Sequence, residues 1–211
     1  ERRPEGSPDT WEPQLRERLR EAVRKRLVSD VPLGAFLSGG IDSSAVVAMM
    51  REIGAGPILT CSIGFREAQY DESRYAQLVA EQKHTDHKAE IVEASDYGLL
   101  DQLVDIYDEP YADSSAIPTY RVCQLARRHV TVALSGDGGD ENFIGYRRYK
   151  LFAMEEAIRR RLPEGLRRAV FGPLGRWYPK LDWAPRFMRG KTTFQALARN
   201  AVDAYLHGVS I

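Results

Sequence analysis

The stretch of sequence that decides the fold is Leu33-Gly34-Ala35-Phe36-Leu37-Ser38-Gly39-Gly40-Ile41-Asp42-Ser43. A short apolar run, typical of a buried strand, leads into a glycine-rich loop and then into a helical pattern. The same order recurs where Val130-Thr131-Val132-Ala133-Leu134 precedes Ser135-Gly136-Asp137-Gly138-Gly139-Asp140-Glu141. In a parallel sheet both loops lie at the carboxyl ends of strands, which is where such sheets bind ligands.

Both loops carry residue types that bind phosphate and metal ions. Glycine-rich backbone exposes N–H groups toward an anion, and the helix that follows adds its positive end. Aspartates among the glycines indicate a metal ion beside the phosphate. The first loop has neither the Gly-Lys-Ser/Thr ending of a Walker A loop nor the Gly-x-Gly-x-x-Gly spacing of dinucleotide sites. The hydroxyls of Ser38, Ser43 and Ser44 suit instead a pyrophosphate group that leaves as a unit, with Asp42 holding Mg²⁺ against it.

The alternation of apolar runs and helical patterns predicts an α/β fold with three layers, in which a parallel sheet has helices on both faces. A helical C-terminal extension follows it. We expect a linker over residues 1–13, the α/β domain over residues 14–150 and the helical extension over residues 151–211. The predicted strands are residues 33–37, 58–65, 89–92 and 130–134, and the predicted helices of the α/β domain are residues 14–28, 43–53, 72–83, 95–106 and 114–128.

Finer expectations concern three of the helical segments. In the helix over residues 72–83, Tyr75, Leu78 and Val79 are expected to face the core, and Ser95 is expected to cap the next helix. The last segment, residues 193–206, is amphipathic and needs a partner for its apolar face, which indicates a homodimer as one arrangement.

The composition is that of an ordinary globular protein. The 211 residues are 43% hydrophobic and 28% charged with a net charge of zero, which does not indicate a nucleic-acid-binding protein. No apolar run approaches membrane-spanning length and no signal peptide is visible, so we expect no membrane association and a cytoplasmic location. Cys61 and Cys123 lie in apolar contexts and are interpreted as small core residues, and the four histidines lack metal-ligand spacing.

Positive charge is concentrated in one part of the chain. Residues 147–191 hold thirteen Lys or Arg and four Asp or Glu. One interpretation is a solvated helical face. The other is a wall near the second loop that attracts anions. The sequence leaves both open.

The first loop and its surroundings resemble the pyrophosphate loop of asparagine synthetases, over residues 31–44. The resemblance continues in family order from about residue 14 to residue 150, and more loosely to residue 191. The matching segments are Ser62-Ile63-Gly64-Phe65, Tyr70-Asp71-Glu72-Ser73, Thr85-Asp86-His87, Asp108-Glu109-Pro110, Leu134-Ser135-Gly136-Asp137-Gly138-Gly139-Asp140-Glu141 and Gly145-Tyr146-Arg147-Arg148-Tyr149.

The resemblance implies the fold of adenine nucleotide alpha hydrolases and an ATP-dependent ligase activity. Such enzymes adenylate the side-chain carboxylate of aspartate and release pyrophosphate. Ammonia, made from glutamine in an N-terminal glutaminase domain, then displaces AMP to give asparagine. By position, pyrophosphate would be bound by Ser38, Gly39, Gly40, Asp42 and Ser43. Phe36, Ile63 and the backbone at Gly136 would flank the adenosine of ATP, and Ser135 would also contact ATP. Mg²⁺ would be held by Asp42 and Asp140, and Asp137 would be catalytic.

The chain departs from the family at several points. It carries neither the glutaminase domain nor the C-terminal part of the synthetase domain, so we expect it to be inactive on its own. Asp137 stands where some members have Glu, and Asn142 and Ile144 replace residues usually found beside the second loop. Two alternatives stay open. One is a related enzyme that activates another carboxylate, as β-lactam synthetases and lasso-peptide cyclases do, and the other is a non-catalytic nucleotide-binding module.

Overall fold

The computed structural model describes residues 7–67, 71–93, 97–109, 113–181, 183–185 and 188–209. The chain forms two compact units, Glu1–Gly139 and Asp140–Ile211. Within the described residues, no helix is both long and apolar enough to cross a membrane. The domain limits of 14–150 and 151–211 stay a prediction. Residue 150 itself lies inside a helix that runs from Arg147 to Arg161.

A four-stranded parallel sheet forms the centre of the first unit. Its strands are β1 (Leu33–Phe36), β2 (Leu59–Phe65), β3 (Asp86–Val92) and β4 (Val132–Leu134), in the order β3-β2-β1-β4. All three pairings are parallel, with Phe36 opposite Cys61 and Ala35 opposite Leu134. The predicted parallel sheet is therefore confirmed, and β1 ends where the first glycine loop begins.

Helices cover both faces of this sheet. The helices of the first unit are α1 (Pro8–Arg26), α2 (Ile41–Ile53), α3 (Ser73–Lys83), α4 (Leu100–Ile106) and α5 (Ala116–Arg127). A 3₁₀ turn, Tyr97–Leu99, precedes α4. A short helix, α6 (Gly139–Phe143), begins at the last residue of the unit.

Two apolar clusters show that the fold has three layers. Ala35 and Leu37 pack with Val47 and Met50 of α2 and with small residues of α3. Phe36, between them in sequence, packs on the opposite side with Cys61 and with Leu125 of α5. Successive strand residues point to opposite faces, so α1, α2 and α3 lie on one face of the sheet and α5 lies on the other. This confirms the predicted fold class.

Several predicted details were wrong. The helix expected from Gln14 begins at Pro8, because proline is tolerated at the first helical position and Ser7 accepts hydrogen bonds from Thr10 at 2.7 and 3.0 Å. In α3, Tyr75 and Leu78 are exposed, and Ala76 and Ala80 are buried instead. The small side chains of Ala76 and Ala80 allow α3 to lie close to the sheet. The face of α3 that contacts the sheet is therefore formed by these alanines and not by Tyr75 and Leu78.

Other expectations had mixed outcomes. Cys61 is buried as expected, but Cys123 is exposed. The amphipathic segment at residues 193–206 is divided between two helices, α9 (Lys191–Leu197) and α10 (Ala201–Val209). Ser95 lies outside the described residues. The helices of the second unit are α7 (Arg147–Arg161), α8 (Glu164–Trp177), α9 (Lys191–Leu197) and α10 (Ala201–Val209).

Two arginines of the basic segment connect the helices of the second unit. Arg167, 6% exposed, donates to the backbone oxygens of Leu197 at 2.7 Å and Arg199 at 2.9 Å. Arg159 donates to Glu155 at 3.2 Å and to the backbone oxygen of Ala196 at 3.0 Å. These two arginines fit neither interpretation of the basic segment 147–191. They are neither on a solvated face nor free to attract an anion, because both donate hydrogen bonds to carbonyl groups at the end of α9.

Candidate nucleotide site

The first glycine loop begins where β1 ends. The backbone N–H of Leu37 donates to the carbonyl oxygen of Cys61 at 2.9 Å, so the chain stays paired with β2 up to this point. Gly39 then adopts a left-handed conformation, with φ of 83°, which glycine adopts without a steric penalty. Gly40 caps α2, a helix of 13 residues. The first-turn N–H groups of this helix have no intrahelical acceptor and are the natural donors to an anion.

The left-handed turn rests directly on the beginning of α3. A β-carbon at Gly39 would lie 2.5 Å from the backbone nitrogen of Ala76 and 2.5 Å from the β-carbon of Tyr75. Glycine is therefore required here for two reasons, the backbone conformation and the contact with α3. The second reason cannot be read from the loop sequence, since α3 lies more than thirty residues further along the chain.

Two of the serine hydroxyls shape the loop itself. The backbone N–H of Gly40 donates to Ser38 Oγ at 3.2 Å, and Ser43 Oγ donates to the carbonyl oxygen of Gly40 at 3.2 Å. The two hydroxyl oxygens lie 3.1 Å apart. Ser44 Oγ is buried and has no hydrogen-bond partner among the described residues. These internal bonds hold the turn in shape at the N-terminus of α2.

The second loop packs directly on the first. A β-carbon at Gly136 would lie 2.6 Å from the backbone nitrogen of Ser43, and one at Gly139 would lie 2.6 Å from Asp42 Oδ2. Gly138 between them is left-handed, with φ of 87°. The structure thus brings Ser38, Gly39, Gly40, Asp42, Ser43 and Gly136 together at the carboxyl edge of the sheet, and their binding of pyrophosphate or ATP stays a prediction.

Ser135 and Asp137 lie in the second loop, where Ser135 is half-buried and Asp137 is exposed. The backbone N–H of Asp137 donates to Ser135 Oγ at 3.3 Å, and the Asp137 side chain is exposed. Cys123 is exposed as a residue but its thiol is partly shielded from solvent, and the pKa of this thiol is raised first by that desolvation and then by the negative charge of Asp137. The carboxylate of Asp137 is therefore close enough to Cys123 of α5 to act on it electrostatically, and its catalytic role stays a prediction.

Two of the three residues expected beside adenosine, Phe36 and Ile63, are half-buried. Phe36 packs against Cys61 and the α5 cluster. Ile63 lies near the end of β2, paired with Glu90 of β3. Their side chains begin on neighbouring strands, at the edge that carries the glycine loops. Their contact with ATP stays a prediction.

Asp42 is the residue of the first unit that the resemblance assigns to Mg²⁺, and this role stays a prediction. Asp140 belongs to the second unit, where its carbonyl oxygen accepts from the N–H of Gly145 at 3.0 Å. Among the described residues no three His, Cys, Asp or Glu side chains converge as a ready-made metal site. Mg²⁺ usually binds through one or two carboxylates together with substrate phosphates. The half-buried Asp42 carboxylate, beside the N-terminus of α2, fits such a role.

Two residues near the site were not singled out from the sequence. Gly139 was quoted within the second loop but given no role, although its lack of a side chain leaves room for the Asp42 carboxylate. Asp71 was noticed only as part of a matching segment, although it binds the beginning of α3. Asp side chains often accept the backbone N–H two residues further on, and Asp71 makes this Asx-turn bond with Ser73 at the start of α3.

Comparison with known proteins agrees with this geometry. The family profile described as asparagine synthase matches residues 14–207. The putative glutamine-hydrolysing asparagine synthetase 2 of Methanocaldococcus jannaschii is 48% identical over 151 residues, covering 71% of this chain and 29% of that protein. The glutamine-hydrolysing asparagine synthetase 1 of Bacillus subtilis is 33% identical over 199 residues, covering 94% of this chain and 30% of that protein.

One solved structure also aligns with most of the chain. It is the NH₃-dependent NAD synthetase of Campylobacter jejuni, with 12% identity, a TM-score of 0.44 and coverage of 94% of this chain and 96% of that chain. The chain spans about 30% of the length of the two asparagine synthetases above. Since the family profile covers nearly the whole chain and both glycine loops meet in the structure, the chain belongs to the asparagine synthase family.

Proposed function

We propose that this chain is the ATP-binding part of an enzyme that adenylates the side-chain carboxylate of aspartate and converts it to asparagine. The observation that carries the proposal is the packing of Gly136 and Gly139 against Asp42, which joins two phosphate-type loops into one site. Membership of the asparagine synthase family supports the same reaction class, an ATP-dependent amide synthesis.

Each part of the site has a distinct task in this proposal. The backbone of Gly39 and Gly40 and the first turn of α2 bind the pyrophosphate that departs. The hydroxyls of Ser38 and Ser43 keep this loop in shape, and the Asp42 carboxylate holds Mg²⁺, which neutralises the phosphate charge. Alignment of the carboxylate, the α-phosphorus and the leaving group is the main contribution of such a site, because it replaces a bimolecular encounter by a positioned one.

The remaining assignments follow from position in the sequence. Phe36, Ile63, Ser135 and Gly136 line the nucleoside end of ATP. Asp137 moves a proton when ammonia attacks the activated carboxylate, a task that its exposed position allows. Asp140 provides the second carboxylate for Mg²⁺.

The proposed partners lie outside the residues of this chain. Ammonia comes from glutamine, as the names of the relatives indicate for those proteins, and an N-terminal glutaminase domain supplies it. We further propose that this chain alone binds ATP without completing the reaction, that the protein acts in the cytoplasm, where ATP is abundant, and that it forms a homodimer. Val202 and Leu206 are exposed on α10, which is the surface the dimer proposal uses.

The products of ATP cleavage test the proposal. The full-length gene product is incubated with ATP, Mg²⁺, ammonia and aspartate, and phosphorus NMR follows the nucleotide. We expect AMP and pyrophosphate, formed only when aspartate is present, together with asparagine. Cleavage that requires a different carboxylate would identify a related amide-forming enzyme. Formation of ADP and phosphate, or ATP binding with no carboxylate-dependent cleavage, would contradict the proposal.

A further inference from the structure

Asp71 joins the end of β2 to the beginning of α3. Its Oδ1 accepts from the backbone N–H of Ser73 at 3.1 Å, and its Oδ2 accepts from the hydroxyl of Ser73 at 2.9 Å. The backbone N–H of Phe65, the last residue of β2, lies 3.4 Å from Oδ1. These bonds lower the pKa of Asp71, the hydroxyl of Ser73 contributing most, so the side chain is charged at neutral pH. One carboxylate therefore determines where α3 begins relative to the sheet.

A glycine makes this arrangement sterically possible. A β-carbon at Gly64 would lie 2.9 Å from Asp71 Oδ1 and 3.2 Å from the β-carbon of Ser73. The end of β2 is thus shaped to receive the carboxylate. Ile63, expected beside adenosine, is the residue directly before this glycine.

The first turn of α3 is in turn the surface on which the first glycine loop rests. Tyr75 and Ala76, two and three residues after Ser73, are the residues that a β-carbon at Gly39 would strike at 2.5 Å. The backbone N–H groups of Tyr75 and Ala76 both donate to the carbonyl oxygen of Glu72, at 2.9 and 3.2 Å, so this turn is hydrogen-bonded from its first residue. A displacement of the helix start would therefore move the surface beneath Gly39.

We infer that Asp71 is a positioning residue for the pyrophosphate loop, which it supports through the first turn of α3 without touching the ligand. The inference rests on the proposed function, because it assigns the loop around Gly39 to pyrophosphate. A positioning role differs from a purely stabilising one, because it makes the affinity for one part of ATP, the pyrophosphate, depend on Asp71. The affinity for pyrophosphate depends on Asp71, whereas the affinity for adenosine does not.

Calorimetric titration of Mg²⁺-pyrophosphate and, separately, adenosine into wild-type chain and Asp71→Ala tests this. We expect the substitution to weaken pyrophosphate binding about tenfold, as is typical when a supporting residue is removed, and to leave adenosine binding unchanged. Asp71→Asn keeps one acceptor oxygen and should lose only about threefold, the contribution of one modest hydrogen bond. Glu72→Gln, which removes a carboxylate at the exposed neighbouring position, should bind like wild type.

Equal pyrophosphate affinity in folded Asp71→Ala and wild-type chain would overturn the inference. So would an equal loss for both ligands, since that is the signature of general destabilisation. If Asp71→Ala does not fold, the pyrophosphate affinities of Asp71→Asn and Ser73→Ala test the positioning role. Unchanged pyrophosphate affinity in both variants contradicts it.

A failure of the proposed function gives a different pattern. A wild-type chain that binds neither pyrophosphate nor ATP would contradict that function. The positioning role is then decided by amide hydrogen exchange. We expect faster exchange at Gly39 and Gly40 in Asp71→Asn than in wild type, and equal exchange would overturn the role.

Discussion

The α-carbon of Gly139 lies against the carboxylate of Asp42, so closely that a β-carbon there would be 2.6 Å from Oδ2 and 2.7 Å from Oδ1. The second loop thus forms a wall of the pocket in which the Asp42 side chain sits. Only a residue without a side chain fits this wall. The relationship explains how two glycine loops, far apart in the chain, pack against each other.

Substitution of Gly139 by alanine tests this relationship. We expect Gly139→Ala to displace the Asp42 carboxylate and to weaken Mg²⁺-ATP binding at least about tenfold, as is typical when a group supporting a metal ligand is disturbed. Isothermal titration calorimetry measures the change. Gly165→Ala is the control, because a β-carbon at Gly165 meets nothing within 4 Å. Wild-type affinity in folded Gly139→Ala would show that the contact does not matter for binding.

The left-handed Gly39 differs from another left-handed glycine, Gly54, only in its surroundings. Both have positive φ, 83° and 78°, but a β-carbon at Gly54 meets nothing within 4 Å. Gly54→Ala should lower the free energy of unfolding by about 1–2 kcal/mol, the cost of left-handed backbone. Gly39→Ala should lower it by about 1–3 kcal/mol more, because the added carbon collides with α3. Urea denaturation of both variants gives the difference, and equal losses would refute the proposed contact.

His87 makes the stability of the first unit depend on pH. Its ring nitrogens lie 2.9 Å from Thr60 Oγ1 and 3.1 Å from Ser62 Oγ, and burial lowers its pKa below the usual 6.5. The unfolded chain therefore binds a proton more readily than the folded one. The stabilising contribution is fully present above about pH 6.5 and is lost as the pH falls toward the lowered pKa.

The pH-dependent contribution of His87 to stability is measured by comparing wild type with a variant that lacks this histidine. Urea denaturation at several pH values between 5.5 and 7.5 should show a free energy of unfolding that falls less steeply with acid in His87→Gln than in wild type. The other three histidines are present in both proteins and cancel in the comparison. Identical pH slopes would mean that burial does not hold His87 neutral.

The ion pair between Arg159 and Glu155 is buried in the second unit, with side-chain exposures of 4% and 11%. Arg159→Leu leaves the Glu155 charge buried without its partner and should cost about 3–5 kcal/mol of unfolding free energy. Arg160→Leu, at the exposed neighbouring position, should change it by no more than about 0.5 kcal/mol. The double variant Arg159→Leu with Glu155→Leu should recover much of the loss. Thermal denaturation of the three variants measures these changes. Equal midpoints for Arg159→Leu and Arg160→Leu would contradict a stabilising ion pair between Arg159 and Glu155.

Much of the sheet could be predicted because its strands are apolar runs that end in glycine loops. β1 and β2 begin and end within one residue of the prediction. β3 begins at Asp86 rather than at residue 89, because its first residues are polar. They join the sheet through pairing with β2 and through the hydroxyl partners of His87, which a search for apolar runs cannot detect.

The inner face of α3 was predicted wrongly for a related reason. Periodicity favours large apolar residues such as Tyr75 and Leu78 as the buried ones, but close packing selected Ala76 and Ala80. The loops of the candidate site were recognisable from their glycines and aspartates. The contacts of Gly39 with α3 and of Gly139 with Asp42 depend on tertiary packing, so no local pattern contains them.

The central claim is that Asp42, held between the two glycine loops, binds Mg²⁺-ATP. Its most direct test is calorimetric titration of ATP, with and without Mg²⁺, into the wild-type chain and Asp42→Ala, with the exposed Asp101→Ala as the matched control. We predict Mg²⁺-dependent binding by the wild type and by Asp101→Ala, and a loss of at least about tenfold in Asp42→Ala. A folded wild-type chain that does not bind ATP, or an Asp42→Ala variant that binds it equally well, would contradict the claim.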